Sequence, residues 1–97
     1  MISFFNVKLH NKSKNKEMLS FTKNIYYLLK GKVSLVDSLE VISENYTGNF
    51  KIKIKQTKKL IEKGNSLSKA FEKIEKDREF LGLIKMGEQT GNLEMIF

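Results

Sequence analysis

The chain of 97 residues contains no cysteine, no proline and no tryptophan, and its single histidine is His10. Without cysteine there is no disulfide, no thiol nucleophile and no Cys-built zinc site. One histidine in a polar stretch lacks the convergent neighbours that a metal site or a catalytic base needs. Without proline, no position loses the backbone donor that a helix interior requires, which suits a chain mostly in helix. Arginine occurs once, at Arg78, so the residue best suited to reading base edges is almost missing. No apolar run approaches the roughly 20 residues that cross a bilayer as a helix. Residues 1–16 place Ile2, Phe4 and Phe5 ahead of Lys8, Lys12, Lys14 and Lys16, the reverse of a signal peptide's order. Taken alone, this piece is expected to be made and kept in the cytoplasm.

What is present describes a small folded domain. Hydrophobic residues make up 40% and charged residues 30%, a soluble rather than a disordered balance. A domain of this length buries a modest share of its surface, so its stability is expected to be marginal. The net charge is +7, with +4 in residues 1–16 and +5 in residues 50–63, where six lysines face Glu62 alone, leaving −2 elsewhere. The basic excess thus belongs to a tail and one segment, which argues against a nucleic-acid binder spread over the whole surface.

Residues 1–15 read as a flexible basic leader, and residues 16–97 as one helical domain. From about Lys16, the residues Met18, Phe21, Ile25, Leu28 and Leu29 recur at helical spacing. Gly31 is expected to stop that helix by accepting positive φ. Ser34 reads as the cap of a second helix, with Asp37 favouring its N-terminal end and Leu35, Leu39, Ile42 and Tyr46 as its stripe. Residues 47–49 read as a loop. The next stretch is ambiguous, because Phe50, Ile52 and Ile54 alternate like a strand. Yet Phe50, Ile54, Thr57 and Ile61 share a helical face, and a lone strand would have no partner, so helix is the expectation. Gly64 ends it, Ser66 caps a fourth helix carrying Leu67, Ala70, Phe71 and Ile74, and Asp77 caps a fifth carrying Phe80, Leu83, Ile84 and Gly87. Asn92 is placed to cap a sixth, broken off in an apolar run that suggests a longer parent. The expected fold is all-α: a compact antiparallel bundle of five to six short helices.

Three stretches carry a resemblance. Residues 21–39, FTKNIYYLLKGKVSLVDSL, hold a Leu-Leu pair, a glycine and a short capped helix. Residues 61–71, IEKGNSLSKAF, are similar to an I-x-x-G-x-S-L-S-x-A-F segment. Residues 87–93, GEQTGNL, follow G-E-x-[ST]-G-x-L. In this order, over about four-fifths of the chain, they resemble the inner-membrane platform proteins of type II secretion and type IV pilus systems, including competence pseudopili. The resemblance implies a six-helix domain on the cytoplasmic face of the bacterial inner membrane, tethered there by a transmembrane segment and followed by a second copy. It implies a scaffolding role without chemistry of its own or a cofactor, coupling a hexameric assembly ATPase to pilin assembly beside other inner-membrane assembly proteins. A homodimer is compatible with the small core and apolar end. Two features depart from the family pattern: proline is missing at Lys32-Val33 and at residues 75–79, and no membrane segment or second copy lies within the chain.

Several residues are candidates for function. Gly87, Glu88, Gln89, Thr90, Gly91 and Leu93 form the signature, readable as a contact surface or as a helix C-cap in which Glu88 or Thr90 bonds backbone amides. It is not a phosphate loop, lacking the Gly-Lys-Ser/Thr ending. Glu44, Glu88 and Glu94 could supply oxygen to a hard cation only if they converged. Gly31, Ser34, Gly64 and Ser66 are read as structural caps. Lys51, Lys55, Lys58 and Lys59 form a basic face open to three readings: solvated surface, a lipid contact, or a partner's docking face. The rival function is a small basic module that binds nucleic acid or an acidic protein without specificity, and weakly enough to be lost in salt. Tyr26, Tyr27 and Tyr46 read as core-rim residues with wet hydroxyls.

Overall fold

Apolar residues returning every third or fourth position make each helix of this chain one-sided, so none is stable until its stripe is covered. The computed structural model describes residues 16–92 and covers those stripes against one another. Five helices occur among the described residues: α1 Lys16–Lys30, α2 Leu35–Ser43, α3 Gly48–Glu62, α4 Leu67–Phe71 and α5 Arg78–Thr90. No strand occurs among them. Sequence neighbours pack together, α1 on α2, α2 on α3, α3 on α4 and α4 on α5, as short loops require. The expected flexible leader and sixth helix lie outside the described residues.

One core unites the five helices. Met18, Phe21 and Ile25 of α1 meet Leu39 and Ile42 of α2, Ile54 of α3, Phe71 of α4, Ile74 just beyond it, and Phe80 and Ile84 of α5. Aromatic rings run through this core from one side to the other. Tyr46 lies edge-on to Phe50 at 4.9 Å between centroids, Phe50 to Phe21 at 5.9 Å, Phe21 to Phe71 at 6.5 Å, and Phe71 to Phe80 at 6.0 Å. These tilted and edge-on geometries suit the ring quadrupole. Phe21 stands at the middle and is fully buried.

The ambiguous stretch is helical over 15 residues, with Ile54 and Thr57 buried and Phe50 and Ile61 packed on the core edge. Thr57 is accommodated because its hydroxyl donates to the Lys53 carbonyl at 2.9 Å, as Thr22 does to Met18 at 2.7 Å. The Ser38 hydroxyl, by contrast, is buried without a hydrogen-bond partner among the described residues.

Four local expectations need correction. The first concerns Gly31: the left-handed residue after α1 is Lys32, at φ 69°. The Lys32 amide donates to the Leu29 carbonyl and the Val33 amide to that of Leu28, each at 3.0 Å. That pairing makes Gly31 the helix cap and forces positive φ onto the next residue. The second concerns the loop at residues 47–49, which is shorter than expected. Gly48, at φ 64°, already begins α3. The third concerns α4, which stops at Phe71, so Ile74 reaches the core from the turn that follows. The fourth concerns Tyr27, which is 67% exposed because it falls on the side of α1 opposite Ile25.

Candidate functional site

The signature residues lie at the C-terminal end of α5, and their first contact is with the chain's second family-like stretch. Glu88 is two residues from the end of α5, and its carboxylate reaches the start of α4. The Leu67 backbone N–H donates to both Glu88 oxygens, at 3.1 and 3.2 Å. The first amides of a helix have no partner within it and carry partial positive charge, so a carboxylate there is doubly favoured. Ser66 completes the cap, its hydroxyl accepting from the Lys69 amide at 3.3 Å. A helix of only five residues is thereby held by a side chain 21 positions away.

Gly91 then ends α5 in the left-handed region at φ 76°. The buried carbonyl of Gly87 accepts from the Gly91 amide at 2.8 Å, the Asn92 amide at 3.2 Å and the Thr90 hydroxyl at 3.3 Å. This turn carries the chain to the first family-like stretch. Gly91 and Asn92 share an open groove of about 360 Å³ with Lys32, Val33, Ser34 and Leu35. There Ser34 caps α2, accepting from the Asp37 amide at 3.1 Å. Gly64, at φ 94°, closes α3 one loop away from Ser66. Glu88 thus bonds the third stretch to the second, and Gly91 and Asn92 line a groove with the first. Gln89 and Thr90 are exposed there. Leu93 lies outside the described residues.

The lysines of α3 divide into two groups. Lys58 turns toward α2, where its ammonium meets Glu40 at 2.7 Å. The hydrogen bond from Lys58 and then its charge hold the Glu40 carboxyl below the usual carboxylate range, helped by Lys55 and Lys51. The same bond holds Lys58 above the usual lysine range. Lys51 is half-buried, while Lys55 and Lys59 are exposed in an open groove that also contains Ile52. Sequence reasoning missed Glu40, whose pairing with Lys58 depends on how α2 packs against α3, while the helical face that holds Ile54 and leaves out Ile52 agrees with their burial. It also missed the bond from the Tyr46 hydroxyl to Ser20, 2.9 Å across α1. The Glu88 clasp had no local signal, because its two ends are 21 residues apart.

Among the described residues no three His, Cys, Asp or Glu side chains gather in a group able to hold a metal ion, and Glu94 lies outside those residues. No helix of the described residues is long and apolar enough to cross a membrane. No curated protein and no solved structure matches the chain. The family model described as Type II secretion system (T2SS), protein F, matches residues 21–97, which takes in all three stretches, the second and third of them joined by the Glu88–Leu67 clasp. The chain therefore belongs to the protein F family of type II secretion, the inner-membrane platform proteins of secretion and type IV pilus machines.

Proposed function

We propose that this domain is the non-catalytic docking part of its platform protein, set on the cytoplasmic side of the inner membrane and coupling the assembly ATPase to pilin assembly. The observation that carries this reading is the shared edge formed by the family stretches. The exposed Glu88 carboxylate is held by the Leu67 amide, while Gln89 and Thr90, the next two signature residues, also face solvent. A left-handed turn at Gly91 fixes their direction. A rigid turn that displays polar side chains loses little entropy when it meets a partner, which is what a coupling surface needs. Its partners in this reading are the hexameric ATPase, pilins and the other inner-membrane assembly proteins, met by the membrane-tethered parent.

Copurification of the parent protein with the assembly ATPase tests the proposal. Gln89→Arg and Thr90→Arg should each lower recovery of the ATPase by tenfold or so, the effect of about 1.4 kcal/mol at a contact, while the domain's melting temperature holds. Full recovery with both variants would show that this edge is not the docking surface.

A further inference from the structure

The outward face of α3 combines charge and exposed apolar surface in a way that the docking edge does not use. Counting about 100° per residue from buried Ile54, Ile52, Lys59 and Lys63 stand nearly opposite the core, with Lys55 beside them. Ile52 is 54% exposed, and Lys55, Lys59 and Lys63 are all exposed. Lys58 is spent on Glu40 across the α2 boundary. Glu62, the acid on this helix, is exposed at the α2 side of the face beside Lys55 and lines the same groove, so Lys55, Lys59 and Lys63 outnumber it.

From this face we infer that α3 rests on an anionic lipid surface, with Ile52 entering the headgroup layer and Lys55, Lys59 and Lys63 meeting lipid phosphates. Two features select lipid over an acidic protein. Protein interfaces favour arginine and aromatic residues and are depleted in lysine, whereas the basic residues of this face are all lysines, beside Ile52, Gln56 and Glu62, with no arginine or aromatic side chain on it. A leaflet needs no matched geometry, only density of negative charge, and lysine stems reach along apolar surface to place their charge at that level. A single exposed isoleucine ringed by ammonium groups fits such a boundary. The inference does not depend on the ATPase reading, since it concerns another face and a different ligand.

The test is pelleting of the 97-residue chain with phosphatidylcholine vesicles containing about one third phosphatidylglycerol, in about 0.1 M salt. Wild-type chain should pellet with these vesicles and not with pure phosphatidylcholine, and raised salt should release it. Each basic residue near such a surface contributes about fivefold to partitioning. The Lys55→Gln, Lys59→Gln, Lys63→Gln triple should therefore lose binding on the order of a hundredfold, and Ile52→Ser alone a smaller multiple. Lys69→Gln, Lys73→Gln, Lys76→Gln removes the same charge elsewhere and should retain most binding. The inference is overturned if the wild-type chain ignores anionic vesicles or if the two triples are equally damaging. It is overturned equally if neutralising Lys8, Lys12 and Lys14 abolishes pelleting while the α3 triple keeps it. Loss of vesicle binding paired with salt-sensitive retention on an acidic protein would assign the face to a protein instead.

Discussion

Individual residues in this domain depart from their preferred states in ways that can be measured. Lys32 holds a φ of 69°, a conformation that strains a side-chain-bearing residue by about 1–2 kcal/mol. Lys32→Gly should therefore raise stability by about 0.5–1 kcal/mol, after the added freedom of the unfolded glycine is deducted, and a denaturant titration reads the gain directly. The buried Ser38 hydroxyl has no partner among the described residues, so Ser38→Ala should leave stability unchanged or raise it by up to about 1 kcal/mol. Glu40 and Lys58 offer a pH test. The Glu40 carboxyl is depressed by its bond from Lys58, so its contribution is present above the ordinary carboxylate range and is lost as pH falls through the folded value. The Lys58 contribution is present below the ordinary lysine range and fades only in strong base. Melting temperatures of wild type and Glu40→Gln should thus differ at neutral pH and converge in acid, as pH falls through and below the lowered folded value. A difference that persisted in acid would mean that the ion pair is not its cause.

At the scale of elements, the helices with a period of their own were legible and the long-range joints were not. Ser34, Ser66 and Asp77 are where a short polar residue precedes an apolar stripe, and each accepts hydrogen bonds from the first turn it precedes, because the chemistry of a cap is local. The helix that the structure places over residues 48–62 is legible from Phe50 onward, since Phe50, Ile54, Thr57 and Ile61 line up only at 3.6 residues per turn. Gly31 misled because a glycine near a helix end does not reveal which of two adjacent residues turns left-handed. That is settled by which carbonyls the following amides reach, here those of Leu29 and Leu28. The family-like stretches were visible as sequence, yet their meeting was not, since Glu88 finds Leu67 only after α4 and α5 pack together. The lysine face was legible as charge and not as geometry. Its division into Lys58 against Glu40 and Lys55 with Lys59 around Ile52 depends on where α2 lies.

The whole molecule is a thin core held by few large residues, so its cooperativity rests on them. Phe21 touches rings from α3 and α4 and is fully buried. Phe21→Ala should cost about 3–5 kcal/mol through lost contacts and an unfilled cavity. For a domain of this size that is most of its stability, so the variant should lose its cooperative thermal transition. Retention of a sharp transition would show that the ring series is not what unites the helices. The clasp acts on the same scale, because Glu88 ties the shortest of the described helices to the signature turn. Amide hydrogen exchange of wild type and Glu88→Ala is the most direct measurement of that claim. The account predicts that the Leu67 amide and the rest of α4, Leu67–Phe71, exchange tenfold or more faster in the variant, as loss of about 1.4 kcal/mol at a charged hydrogen bond requires. Protection in α1 and α3 should change far less. Unchanged protection at Leu67 would contradict the clasp, and with it the view that the family's second and third stretches are bound into one structural unit.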